Sequence, residues 1–164
     1  MCLASIPKPK FAKGKQVFLV SPTVAPQTIA VLGTRASGFA IELKIAEGNA
    51  ALEKEVETLG EERLMGSLVQ YPDVNGDIGD WSSLAGKVKA AGGKMVVASD
   101  LLALTMLKPP GEWGADIVCG NSQRFGESII RLKNLDVSGL TYYVQVCRQV
   151  MAVLMRLSSR VRTS

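Results

Sequence analysis

Asp100 is the carboxylate best placed to do chemistry in this sequence. It directly follows the apolar run Lys94-Met-Val-Val-Ala-Ser99, which predicts a buried strand. Open α/β sheets bind ligands beyond the carboxyl ends of their strands, so Asp100 could orient a ligand cation or a pyridinium nitrogen there. It could equally act as the N-cap of a helical turn at 101–104, because aspartate accepts hydrogen bonds from free backbone N–H groups. The spacing alone favours the cap.

A loop of fixed shape follows Asp100. Pro109-Pro110-Gly111 forces an extended stretch and then a turn, because proline fixes its own φ and restricts the residue before it. After the next predicted strand, Asn121 to Gly126 is rich in donors, and Ser122 and Arg124 could hold a phosphate or a substrate carboxylate. A solvated loop is the alternative that the spacing favours. The stretch matches neither a P-loop nor a GxGxxG pattern, so we expect no nucleotide site.

Composition excludes several classes of site. The 164 residues contain no histidine, which rules out Ser-His and Cys-His nucleophile pairs within the chain. The three cysteines have no close spacing, so they fit neither a disulfide framework nor a zinc site. Asp73, Asp77 and Asp80 lack the closing glutamate of an EF-hand, and their spacing predicts a turn. The glutamates at 49–63 lie on a predicted solvated helix face without His or Cys partners, so no metal site is expected.

The elements that must position these residues alternate between strand and helix. Strands are predicted at 16–21, 39–45, 67–71, 94–99 and 115–119, and helices at 26–36, 49–63 and 81–91. Because the strands are continuous apolar runs, we expect an α/β fold with a mostly parallel sheet covered on both faces. Such a sheet places Asp100 and residues 120–125 along one edge.

The positive charge of the chain is concentrated in its last part. Residues 127–164 contain six Lys or Arg and two acidic residues, which leaves 19 − 6 = 13 basic and 15 − 2 = 13 acidic residues in positions 1–126. A neutral body argues against a nucleic-acid surface, since phosphate binding needs clustered Lys and Arg. No apolar run is long enough for a membrane-spanning helix. The prolines near the start do not support a transit peptide.

Three stretches resemble consecutive blocks of one known family. KGKQVFLVSPTVAPQTIAVLGTRASGF, LVQYPDVNGDIGDWSSL and ASDLLALTMLKPPGEWGADIVCGNSQRFG are similar to the amino-terminal half of the glycine-cleavage P-protein. The resemblance covers residues 1–126, which we interpret as part of an aminotransferase-like domain. It implies pyridoxal phosphate as cofactor of the full-length family and decarboxylation of glycine. It also implies transfer of the aminomethyl group to the lipoylated H-protein, a second P-protein half or subunit as partner, and a mitochondrial location in eukaryotes or a cytoplasmic one otherwise.

The resemblance assigns the cofactor positions residue by residue. In the family the cofactor lysine belongs to the carboxyl-terminal half, in a block that this sequence does not contain. Alignment of the two halves puts Gln123 at the Schiff-base position and Asp100 at the carboxylate that faces the pyridine nitrogen. Glutamine cannot form an imine, because its amide nitrogen is not nucleophilic. We therefore expect a fragment that binds no cofactor, is inactive alone, and uses Asp100 as a cap. A non-enzymatic module that docks on the full-length enzyme is the alternative.

Residues 127–164 depart from the family. The family continues after Gly126 with a Gly-rich run, whereas this chain continues with ESIIRLKNLDVSGL and a basic tail. A truncated or mis-spliced gene model is the leading explanation, and a genuine variant terminus is the alternative. A helix is predicted at about 141–157. If the tail is genuine, its basic and apolar residues could lie on an anionic membrane, although a helix with one solvated side is the more ordinary interpretation.

Overall fold

A β-sheet forms the centre of the fold. The computed structural model describes residues 16–39, 41–121, 124 and 143–146, and within these ranges the sheet has six strands. The strands are β1 Gln16–Val20, β2 Ile41–Ile45, β3 Leu64–Tyr71, β4 Lys94–Ser99, β5 Ile117–Gly120 and β6 Tyr143–Val146. They lie in the order β2-β1-β3-β4-β5-β6. Strands β1 to β5 pair with one another in parallel, and β6 pairs with β5 in antiparallel. The prediction of an α/β fold with a mostly parallel sheet is confirmed.

Within the part of the chain that the structure describes, three α-helices connect the strands. They are α1 Pro26–Gly38, α2 Asn49–Arg63 and α3 Ser82–Ala90. Proline stands at the start of α1, where its missing N–H would have no helical partner. Gly60, near the end of α2, adopts φ 59° and ψ −169°, which interrupts the helix just before β3. No helix within the described residues is long and apolar enough to cross a membrane.

The strand bounds differ from the predicted ones by up to three residues, and β5 spans Ile117–Gly120 rather than 115–119. Two of the differences have local reasons. Strand β2 begins at Ile41 rather than at position 39, because the N–H of Phe39 still donates to the carbonyl of Ala36 at the end of α1 (3.1 Å). Strand β3 begins at Leu64 rather than at position 67. Gly66 concealed this longer strand in the sequence, since glycine has low strand propensity. In the structure a side chain at Gly66 would collide with the backbone of Lys94, so glycine permits close pairing of β3 with β4.

Helices α2 and α3 cover one face of the sheet. Leu52 and Val56 of α2 and Leu84 and Val88 of α3 are almost fully buried, and they pack in one cluster with the inward side chains of β1, β3 and β4. These are the faces that the helical spacing predicts. On the opposite face, α1 contributes partly buried Ile29 and Leu32 to a second cluster, whose buried members are Phe18, Val20, Val24, Met65, Leu68, Val96 and Ile117.

An ion-pair group joins α2 to α3 at the surface. The Nζ of Lys87 lies 2.6 Å from a carboxylate oxygen of Glu53 and 2.9 Å from one of Glu57. The hydrogen bond from Lys87 lowers the pKa of Glu53 below 4.5, and the bonds to both glutamates raise the pKa of Lys87 above 10.5. Both shifts mean that folding favours the charged forms.

The predicted helix at 141–157 is wrong at the four residues where the structure describes it. Tyr143–Val146 is a strand, and Tyr143 to Val146 pair with Gly120 to Ile117 of β5. The sequence YVQV combines β-branched and aromatic residues, which favour strands. Strand β5 also offers it a row of backbone donors and acceptors on the side away from β4. The rest of the predicted helix lies outside the described residues.

Leu52→Ala should lower the free energy of unfolding by about 2–5 kcal/mol, because it removes a fully buried side chain and leaves a cavity. Urea denaturation measures the loss. Val31→Ala is the matched control: Val31 is on α1 and 59% exposed, so it should change stability by no more than about 0.5 kcal/mol. Equal effects of the two substitutions would contradict the assignment of the α2 face to the core.

Lys87→Met should lower the stability of the fold only at pH values between the titration of Glu53 and that of Lys87. The lowered pKa of Glu53 gives a contribution that is lost as pH falls below 4.5, and the raised pKa of Lys87 gives one that is lost as pH rises above 10.5. The difference in melting temperature between wild type and variant should therefore be largest between these values and shrink towards acid pH. A difference that does not vary with pH would contradict a stabilising role for the charge of Lys87, because methionine keeps an apolar stem of similar length.

Candidate functional site

The carboxyl ends of the central strands lie along one edge of the sheet. Strands β1, β3, β4 and β5 are parallel, so the residues that follow them emerge on the same side. We call this side the carboxyl edge. The residues immediately after these strands are Ser21, Pro72, Asp100 and Asn121. Asp100 therefore lies where the sequence predicts it.

Asp100 has a hydrogen-bond donor on each carboxylate oxygen. Its Oδ1 accepts a bond from the backbone N–H of Leu102 (3.1 Å), and its Oδ2 forms an ion pair with the guanidinium of Arg124. Its backbone carbonyl accepts from the N–H of Leu104 (3.3 Å). The bond to Leu102 closes a local turn, whereas the 3-10 turn that follows begins at Ala103 with Leu102 at its N-cap and no side-chain cap bond, so the N-cap role of Asp100 stays a prediction. The side chain of Asp100 is 23% exposed and that of Arg124 is 64% exposed, so the pair lies at the border of the solvent.

The strand ends beneath Asp100 are packed closely together. The carbonyl oxygen of Tyr71 accepts from the hydroxyl of Ser99 (3.0 Å) and from the N–H of Asp100 (3.3 Å), which ties β4 to β3. A Cβ on Gly120 would lie 2.5 Å from the carbonyl oxygen of Ser99, closer than real Cβ atoms come. Glycine at the end of β5 thus allows its backbone to approach β4. This approach brings the segment after β5 towards Asp100.

The loop after Asp100 has the fixed shape that its prolines predict. It contains two 3-10 turns, Ala103–Thr105 and Pro110–Trp113. Leu104 and Pro110 are buried, and the ring of Trp113 meets that of Tyr71 edge to face at 5.9 Å between centroids. The loop is therefore attached to the sheet by packing and presents Asp100 from a rigid support.

A second concave region lies at the ends of β1 and β3. It is a cavity of about 250 Å³ whose lining residues are Asn49, Glu53, Asp73, Asp77, Gly79, Asp80, Trp81 and Leu84. The sequence does not reveal this grouping, because Asn49 and Glu53 begin α2 and are distant in the chain from the aspartates. The predicted turn is confirmed, since Oδ1 of Asp73 accepts from the N–H groups of Asn75 (2.8 Å) and Asp77 (3.0 Å). Within the described residues no group of three or more acidic or cysteine side chains is arranged to hold a metal ion.

The predicted anion-binding stretch is only partly described. The guanidinium of Arg124 contacts the carboxylate of Asp100, a group of this same chain. Ser122 and Gln123 lie outside the described residues. The position of Gln123 at the Schiff-base site therefore stays a prediction from the resemblance.

Comparison with known proteins decides the family. The family model for the glycine cleavage system P-protein matches residues 4–129, which is most of the chain. The chain belongs to the P-protein family. A glycine dehydrogenase (decarboxylating) from Paraburkholderia phytofirmans is 48% identical over 124 residues, which cover 76% of this chain and 12% of that relative. This P-protein chain thus spans about an eighth of the length of the curated relatives that it matches.

Solved structures support the fold assignment. A crystal structure of glycine decarboxylase (P-protein) in an inhibitor-bound form has a TM-score of 0.65 and 28% identity, covering 85% of this chain and 30% of that one. A Campylobacter jejuni protein described as an O-acetylhomoserine (thiol)-lyase contains N′-pyridoxyl-lysine-5′-monophosphate. It has a TM-score of 0.54 and 14% identity, covering 67% of this chain and 27% of that one. At that identity the second likeness shows the fold alone. The aminotransferase-like prediction is confirmed.

The described residues of this P-protein chain do not fit covalently held pyridoxal phosphate. The resemblance assigns the carboxylate of Asp100 to a pyridinium nitrogen, and that carboxylate already faces Arg124. An imine would need a lysine amine nearby. Lys94 begins β4, about 20 Å from Asp100 at the rise of an extended strand, and its Nζ pairs with Asp116 (2.9 Å). Lys108 lies in the loop after β4 with an exposed side chain.

Gly120→Ala should lower the free energy of unfolding by about 1–3 kcal/mol, because the new Cβ forces β5 away from the carbonyl of Ser99. Thermal unfolding of the full chain measures the change. Gly86→Ala is the matched control, since Gly86 lies in α3 with open space around it. It should stabilise by up to about 1 kcal/mol through helix propensity. If Gly120→Ala were as stable as wild type, the close approach of β4 and β5 would be wrong.

Proposed function

We propose that this chain is a piece of the non-catalytic half of a glycine dehydrogenase (decarboxylating), and that it supplies scaffold rather than cofactor chemistry. The family match over residues 4–129 supports the parentage. One observation carries the assignment to a non-catalytic role: the carboxylate of Asp100 is neutralised within the chain by Arg124.

The chemistry of the reaction explains why this observation matters. Decarboxylation of glycine needs an electron sink for the carbanion, which pyridoxal phosphate supplies when it is bound. A carboxylate beside the pyridine nitrogen and a lysine amine are the protein groups that such a cofactor requires. Asp100 is engaged by Leu102 and Arg124, and Lys94 is held at the opposite edge of the sheet by Asp116. The chain therefore contributes a sheet edge and a rigid loop, and the reacting groups belong elsewhere in the whole enzyme.

Substrate and partners follow from the whole enzyme. In this proposal glycine and the lipoylated H-protein meet the catalytic half, and this piece contacts a second P-protein half or subunit. The location is mitochondrial in a eukaryote and cytoplasmic otherwise. The alternative of a module that docks on the full-length enzyme gains no support from the comparisons over the main proposal.

The purified full chain should form no covalent adduct with pyridoxal phosphate and release no carbon dioxide from glycine. Borohydride treatment followed by mass spectrometry detects an adduct on lysine, and labelled glycine detects decarboxylation. An intact glycine dehydrogenase with its H-protein is the positive control for both assays.

Trapping of the cofactor on one particular lysine, in an amount equal to the protein, would overturn the proposal. Scattered low-level labelling of exposed lysines would support it, because free amines on any protein surface react weakly with an aldehyde. Unfolded chain is excluded by circular dichroism of the same sample.

A further inference from the structure

We propose that Asp100 and Arg124 form a charge-specific clasp that closes the carboxyl edge between β4 and β5. In this arrangement the guanidinium takes the position that an external cation would occupy on Asp100. The inference shares the contact between Asp100 and Arg124 with the proposed function, but it is tested by the accessibility of Arg124 and not by cofactor binding. In this proposal Arg124 positions the carboxylate of Asp100.

The clasp joins two segments that the sheet already places side by side. Asp100 is the first residue after β4, and Arg124 follows the end of β5 by four positions. The two strands are paired in parallel, with Ala98 opposite Cys119. Gly120 brings the end of β5 against the carbonyl oxygen of Ser99. The ion pair spans 24 positions of sequence between two supported strand ends, so little chain entropy is lost in forming it.

Both oxygens of the Asp100 carboxylate are in use. The N–H of Leu102 donates to Oδ1 and the guanidinium of Arg124 bonds to Oδ2. A ligand cation at this site would have to displace the guanidinium of Arg124. The chain therefore carries its own cationic partner for the carboxylate of Asp100.

The ion pair should lower the accessibility of the Arg124 side chain by a modest but measurable factor. Arg124 is 64% exposed, and ion pairs near the surface contribute about 0.2–1 kcal/mol. At the upper end this corresponds to about fivefold in an equilibrium between the paired and the open arginine. A method that reads the accessibility of one arginine is therefore preferable to a global stability measurement.

Trypsin provides such a method, because it must bind the side chain of Arg124 to cleave after it. We expect Asp100→Asn to accelerate cleavage after Arg124 by about 1.4- to fivefold, the range that the ion-pair energy predicts. Cleavage after Arg35, at the exposed end of α1, serves as the internal reference. Asparagine at position 100 can still accept from the N–H of Leu102, so this variant removes the charge and keeps that hydrogen bond.

Two control variants separate charge from fold. Asp77→Asn removes an aspartate whose backbone N–H and carbonyl make its turn contacts with Asp73, and it should leave cleavage after Arg124 unchanged. Asp100→Glu keeps the negative charge and should retain slower cleavage than Asp100→Asn. Equal cleavage after Arg124 in the wild type and in Asp100→Asn would overturn the clasp.

A salt series on the wild type tests the clasp even if Asp100→Asn fails to fold. Raising NaCl from about 0.05 M to about 1 M shortens the Debye length to about 3 Å and weakens a solvent-bordering ion pair. Cleavage after Arg124 should then rise relative to cleavage after Arg35. A ratio that does not change with salt would contradict a clasp held by charge.

Discussion

The parallel pairing of β3, β4 and β5 is the constraint on which the rest of this structure depends. It aligns the ends of three strands, so that Ser99, Asp100 and the residues after Gly120 meet at one edge. Two glycines make the alignment possible, because side chains at Gly66 and Gly120 would collide with the backbone of β4. The strands must therefore pair closely before Asp100 and Arg124 can lie near each other.

The charge at this edge is balanced inside the chain. An isolated carboxylate at a partly buried strand end would be costly, and opposite charges offset that cost when both stay hydrogen-bonded. Arg124 and the N–H of Leu102 provide this compensation for Asp100. In an enzyme that binds a cationic cofactor at such a carboxylate, the cofactor would supply part of this compensating charge. The internal balance at Asp100 thus agrees with a P-protein segment that acts as scaffold.

The sequence predicts the parts of this fold that follow from periodicity. The apolar spacing of Leu52 and Val56 predicts the buried face of α2, and the continuous run at 94–99 predicts β4. Glycines limit such predictions. A glycine can be required because a side chain would collide with a neighbouring strand, and a sequence pattern does not show that neighbour. Gly66 concealed the start of β3 for this reason, and the strand at Tyr143–Val146 depends on a partner strand that is distant in sequence. The site follows the same division: the bond from the N–H of Leu102 to Asp100 is local, whereas the pairing of Asp100 with Arg124 requires the sheet.

The most direct test of the scaffold account is an experimental structure of the full chain determined with saturating pyridoxal phosphate. The account predicts Asp100 in contact with Arg124 and with the N–H of Leu102, and no pyridine ring at the carboxyl edge. A ring stacked at that edge with its nitrogen against Asp100, and with Arg124 turned away, would contradict it.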